Sequence, residues 1–333
     1  MAVESNRMNE FLGRFVKRSR GWEWAPALAF VLLFARSAVA QQVGMPTGDV
    51  LHDRIVHEID MIHAGEQMKF SPLMQGRLWG VLASDYENDA EFSKAETAYS
   101  QALRLFQAAP DGAADYATAL DNLGSLYMLM GNPDAAENSC KHSLAVREQV
   151  GNQLGIARGE AHLAEVDLAK HRFKEAQRKS SHAYGAMVAQ HDATSDDMVS
   201  ALITLTYASY LQGKCADAVA SAEKALTIAR AALPSDSLLV GEAHFALGIA
   251  EWKAGTKEGA EPEMRMGYEI LRARMATGHP EFLAVLKQYR KFLGAMHREQ
   301  DAKQMAAEET QLGKERNRGC SNCTVSVYGL RVR

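Results

Sequence analysis

Apolar residues recur along most of this chain at steps of three and four. Phe92, Ala95, Tyr99, Ala102 and Phe106 form one such stripe, with Glu91, Lys94, Glu96 and Arg104 lying off it. That period predicts a helix buried along one face. Leu51, Ile55, Ile59 and Ile62 make a second stripe over residues 49–64, and Ser71-Pro72 then supplies an N-cap and a first helical position for the next helix. Alanine fills 53 of the 333 positions. With few β-branched residues in the middle of the chain, this composition favours helix throughout.

The stripes belong to a two-helix unit that returns six times. Its clearest copy reads Trp79-x2-Leu82-Ala83-x2-Tyr86, then Ala95-x3-Tyr99-x2-Ala102; the second reads Leu120-x2-Leu123-Gly124-x2-Tyr127, then Ala136, Cys140 and Ser143. Looser copies carry Leu163-Ala164 with Ala176 and Ala183, Leu205-Thr206 with Ala218 and Ala225, Leu247-Gly248 with Ala260, and Tyr289-Arg290 with Ala302. Alanines 95, 136, 176, 218, 260 and 302 are spaced by 41, 40, 42, 42 and 42 residues, and the first member of each pair stands thirteen residues ahead of its alanine. Small residues at both places let two helices cross closely, where a larger side chain would wedge them apart. Breakers separate the copies: Pro110-Asp111-Gly112, Gly151-Asn152, Asp192 to Asp197, Pro234-Ser235-Asp236 and Gly278-His279-Pro280.

On these residues the chain resembles tetratricopeptide-repeat proteins of the longer-repeat kind found in kinesin light chains and many bacterial proteins, over residues 72–312. Asn122-Leu123-Gly124, the Ala260-Glu261-Pro262 step and the Gly278-His279-Pro280 connection add to the likeness. The pattern is broken where Thr206 and Arg290 replace the small residue, and where Asp167, Ser209, Glu251 and Leu293 replace the tyrosine. The resemblance implies an all-α solenoid, a right-handed superhelix whose first helices line a concave groove. Carried over position by position, the groove residues are Arg77, Ser84, Glu87, Thr118, Asp121, Ser125, Met128, Arg158, Glu165, Leu168, Tyr207, Tyr210, Phe245, Ile249, Trp252, Lys287 and Lys291. An apolar, aromatic middle of that kind suits a docked peptide or helix. Tyr210 and Trp252 have an equal claim to core slots left by Ser209 and Glu251. The two-lysine, two-asparagine carboxylate clamp of some family members is absent from these positions.

Charge and the amino terminus narrow the function classes. Lys plus Arg number 37 against 41 Asp plus Glu, a net charge of −4. Such a balance argues against nucleic acid as partner, since phosphate contacts need clustered cations. Arg7, Arg14, Lys17, Arg18 and Arg20 precede eleven uncharged residues, Ala25 to Ala35, and then Arg36-Ser37-Ala38-Val39-Ala40. A basic region, a short apolar region and an Ala-x-Ala site predict a secretory signal cut after Ala40. The apolar stretch falls short of the roughly 20 residues that span a bilayer. Cleavage leaves a mature charge of −7 and a chain expected in the periplasm or outside the cell, with no stable membrane span.

The chain carries no recognisable catalytic constellation. No H-E-x-x-H, G-x-S-x-G, P-loop or strand-borne G-x-G-x-x-G occurs. His52, His57 and His63 share one predicted helix, but His52 and His63 lie about 16 Å apart along its axis and cannot share an ion. Neither a metal nor a cofactor is expected. Cys140 and Cys215, on distant units, are expected as buried thiols, whereas Cys320 and Cys323 form a C-x-x-C in a Gly-flanked tail and are expected to bridge after export. Thr324 to Tyr328 alternates like a short strand. The expected organisation is a signal peptide over 1–40, a capping helix within 41–71, a solenoid over 72–316 and a tail over 317–333. The expected activity is binding of another protein or peptide rather than catalysis. Alternatives are a thiol-disulfide oxidoreductase using the C-x-x-C and a spacer that self-associates.

Overall fold

The computed structural model describes residues 48–319 apart from 191 and 276–278. The predicted signal, Cys320, Cys323 and the strand-like Thr324 to Tyr328 lie outside the described residues. Thirteen helices and no strand occur among the described ones: α1 Gly48–Gln67, α2 Pro72–Asn88, α3 Phe92–Ala108, α4 Ala113–Leu129, α5 Pro133–Val150, α6 Gln153–Ala169, α7 Phe173–Val188, α8 Ser195–Leu211, α9 Cys215–Ala232, α10 Leu238–Ala254, α11 Lys257–Arg274, α12 Pro280–Ala295 and α13 Glu299–Gly319. From α2 onward the helices pack as six pairs, each pair packing on the next, and the first helices α2, α4, α6, α8 and α10 also touch in succession. This is an all-α solenoid. None of the described helices is long and apolar enough to cross a membrane.

Within each pair the helices cross where the sequence places its small residues. Ala83, Ala95, Ala136, Ala164, Ala176, Ala218 and Ala260 are wholly buried. At Gly124 an added Cβ would stand 2.6 Å from the Cys140 sulfur, and at Gly248 it would stand 2.4 Å from Met264 Cγ and 2.7 Å from the Met264 backbone nitrogen. Departures from the small-residue pattern are absorbed locally. Thr206 is fully buried, its hydroxyl donating to the Leu202 carbonyl and lying 3.0 Å from Ser221 Oγ. Arg290 turns aside to pair with Glu309 on α13. Asp167, in a tyrosine slot, is buried between Arg172 and Lys179.

The turn inside each pair repeats as regularly as the crossing. Ala90, Gly131, His171, Gly213, Gly255 and His297 all have positive φ, between 58° and 93°, and each stands five residues ahead of its unit's alanine. Lys69, between α1 and α2, adopts the same conformation. One left-handed residue turns the chain back and lets the second helix start at once, so the turn and the crossing share one period. Glycine enters this region freely, while an L side chain there costs roughly 1–2 kcal/mol.

The junctions between pairs use the anticipated breakers as caps. Ser71 Oγ accepts from Met74 N–H with Pro72 at the first helical position, Asn152 accepts from Gly155 N–H, and Ser237 from Val240 N–H. The Asp192–Asp197 stretch is shorter as a loop than the sequence pattern suggested: α8 starts at Ser195, and Thr194 with Asp197 forms a reciprocal capping box. At the amino-terminal edge, Ile55 and Ile62 of α1 pack on Leu82, and Arg54 pairs with the buried Asp85.

Replacing Ala90, His171 or His297 by glycine is expected to stabilise the fold by roughly 0.5–1 kcal/mol each, the left-handed strain relieved less the extra chain entropy of glycine. Gly248→Ala is expected to cost about 1–3 kcal/mol through overpacking against Met264. Denaturant melts of the five proteins check both signs.

Candidate functional site

The first-helix positions assigned by resemblance to the groove divide sharply in the structure. Leu168 and Phe245 are fully buried, and Met128, Tyr207, Tyr210 and Ile249 are at most 8% exposed. All but Met128 belong to one apolar cluster running from α6 to α13, and Met128 sits in a smaller cluster with Ala136, Cys140 and Leu163. The reason lies in α8 and α10. From Ala201 to Tyr210 only Leu205 escapes full burial, and from Val240 to Ala250 only Glu242 does. Helices apolar on every side become interior elements. The expectation of an exposed aromatic surface is therefore corrected: these six side chains are buried and offer a partner almost no contact area. Trp252 is half-buried and meets the Phe292 ring edge-on at 5.4 Å, so it takes the core slot that the sequence left open.

Polar groove positions remain accessible. Arg77, Ser84, Thr118 and Lys287 are exposed, and Glu87, Ser125, Arg158, Glu165 and Lys291 are partly so. Two arginines among them tie successive units together. Arg77 on α2 donates to Asp115 on α4 at 2.8 Å, and Arg158 on α6 donates to Asp197 on α8 at 2.7 Å. Thr118 Oγ1 donates within its own helix, to the Ala114 carbonyl.

Ionisable groups concentrate at the same first helices. The Glu87 carboxyl is pushed up to about 7 by burial, against the Tyr99 hydroxyl, which donates to it at 3.0 Å and lowers it. Glu281, in the first turn of α12, is also pushed up to about 7, by burial first and then by the carboxylates of Glu87 and Glu165. Burial disfavours the His162 cation, yet Glu165 and Asp121 outweigh it and raise that imidazole to about 9. His279, which precedes α12, is lowered to about 4 by burial and is neutral at pH 7. Asp121 itself is 1% exposed, with one oxygen taking the Arg147 guanidinium and the other lacking a hydrogen-bond partner. Arg147 also donates to Ser143 at 3.1 Å, closing a buried pair between α4 and α5.

No group of three His, Cys, Asp or Glu among the described residues is arranged to hold a metal ion. Cys140 is buried and its thiol is pushed up by that burial, whereas Cys215 is only half-buried, with Gly213 and Lys253 carbonyls near its sulfur. The expectation of a buried thiol thus fails at Cys215, because it opens α9 at the rim of the turn rather than facing the crossing.

Asp121→Ala, which strands the Arg147 cation inside the fold, is expected to cost about 3–5 kcal/mol, while Asp115→Ala, opposite the exposed Arg77, should cost no more than about 1 kcal/mol. Urea melts of the two variants side by side check this contrast.

Comparison with known proteins fits this architecture. A family model described as tetratricopeptide repeat matches residues 75–149 and 115–187, and a second with that description matches 199–238. No curated protein matches the chain significantly. Among solved structures, the apo form of RapI shares 12% identity at a TM-score of 0.56, over 83% of this chain and 73% of its own. BtubC (BKLC) from P. vanneervenii shares 19% identity at 0.54, over 68% of this chain and 92% of its own. A Rap protein complexed with Competence and Sporulation Factor shares 13% at 0.54, over 95% and 94%. At these identities the likeness is one of fold. Family matches on the first four units, and the same crossing and turn continuing through all six, make the chain a tetratricopeptide-repeat protein.

Proposed function

We propose that this chain is an exported protein–protein interaction module that holds a partner peptide or helix on the face formed by its first helices. The observation that carries the reading is the side-by-side succession of α2, α4, α6, α8 and α10, on which Ser84 of α2, Thr118 of α4 and Glu165 of α6 keep accessible polar side chains. Such a face recognises a partner by hydrogen bonds and charge, with Ser84, Thr118, Lys287 and Lys291 as the contact-making groups and the buried aromatics as its rigid floor. Repeat surfaces of this kind bind extended partners because contacts add along the stack. Export is supported by the order of basic, apolar and Ala-Val-Ala residues ahead of Gln41.

Two experiments test the reading. Edman sequencing of the native protein is expected to start at Gln41, and an intact Met1 in a membrane pellet contradicts export. A partner obtained by crosslinking from the cell envelope is expected to bind Ser84→Arg and Lys287→Glu at least tenfold more weakly than wild type, with melting unchanged. Phe245→Ala is expected to lower stability by about 3–5 kcal/mol through a core cavity. Full binding by both surface variants overturns the assignment of the face.

A further inference from the structure

The first and last helices of the stack are finished differently. A terminal helix of a repeat array ordinarily turns a polar face outward, which stops the stack from growing. α13 does so: its exposed side chains include Lys303, Gln304, Thr310 and Lys314, and none of its described large apolar side chains is exposed. The amino-terminal end departs from that rule. Of six exposed large apolar side chains among the described residues, three lie here, Val56 on α1 at 45%, Met68 in the following turn at 57% and Val81 on α2 at 45%.

The outer face of α1 is ordered in charge as well. The helix packs Ile55, Ile59 and Ile62 with Leu78, Leu82 and Tyr86 of α2. His52, Val56, Asp60 and His63 are exposed. At 3.6 residues per turn these four fall within about 80° of one another, so they form a single outward stripe. Val56 lies midway between His52 and Asp60, each about 6 Å from it along the axis.

We propose that this stripe is a homodimer interface in which α1 pairs antiparallel with α1 of a second copy, across a two-fold axis through Val56. That axis sets His52 beside Asp60 of the partner subunit and Asp60 beside the partner subunit's His52, while the two valines meet at the centre. An imidazole N–H donates to a carboxylate in either tautomer, so both pairs are complementary. Other arrangements of the stripe lose this match. A parallel pair would set histidine against histidine and aspartate against aspartate, and a slip of one turn would place Val56 against the partner's Asp60. The difference between the two ends also selects the symmetry. Head-to-tail growth would need α13 to offer an apolar complement to Val56, whereas a two-fold contact uses the same face twice and closes at two copies. The dimer goes beyond the partner-binding reading above and needs no partner to be observed.

Sedimentation velocity of the native chain, as its cells process it, tests the pairing over about 1 to 100 μM, with circular dichroism to confirm unchanged helicity. The wild type is expected to pass from monomer to dimer and no further. Val56→Asp is expected to weaken the dimer at least tenfold, while Val188→Asp, at an equally exposed valine on α7, leaves it unchanged. His52→Asp and Asp60→His are each expected to weaken it, because each sets like side chains together. The double variant His52→Asp with Asp60→His is expected to restore it, since the exchange recreates both pairs. A wild type that stays monomeric, or grows past a dimer, overturns the proposal. So does a dimer that survives Val56→Asp, or a double variant no stronger than its single parents.

Discussion

Everything in this fold depends on two helices crossing at van der Waals distance once per repeat. Where Gly124 meets Cys140 and Gly248 meets Met264 there is no room for a methyl group, so the crossing is set by backbone contact rather than by side-chain volume. A fixed crossing fixes how each unit presents its outer faces, and stacking identical crossings gives a solenoid whose geometry is nearly one-dimensional. The left-handed residue five positions ahead of each buried alanine serves the same constraint, since a longer turn would let the second helix slide along the first. Three of the six units meet this need with alanine or histidine in a conformation that disfavours them. Packing at the crossing thus outweighs local backbone preference.

Stacking also decides which polar groups remain useful. Between units, charges are shared in a regular way: Arg77 with Asp115, Arg158 with Asp197, Lys170 with Asp134 and Glu137, and Arg298 with Glu261. Lys141 and Lys170 hold the Glu137 carboxyl down to about 2, so that junction stays charged across the whole ordinary pH range. Burial raises the carboxyls of Glu87 and Glu281 instead.

The architecture was legible because its cause is periodic. The alanine phase, the paired Leu-Gly or Leu-Ala positions and the Pro- and Gly-rich breakers all repeat, and each maps onto a crossing or a junction. The left-handed turn has the same period but escaped notice, because only Gly131, Gly213 and Gly255 announce it while Ala90, His171 and His297 do not. The exposure of the first-helix side was less legible. A register places Tyr207 and Phe245 on the first-helix side, yet whether that side is open depends on how closely neighbouring helices approach. The near-continuous apolar run from Leu238 to Ala250 was the available sign that α10 is enclosed. Asp121, read only as a groove position, gave no sign that Arg147, twenty-six residues on, would bury with it. Long-range pairings of that kind carry no local pattern.

If the first helices carry recognition and the second helices only support them, hydrogen exchange of the partner-bound and free chain measures the difference directly. Added protection is expected on exposed amides of α2, α4 and α12, around Ser84, Thr118 and Lys287, with α3, α5 and α7 unchanged. Protection concentrated on those second helices, with none on the first, would contradict the account.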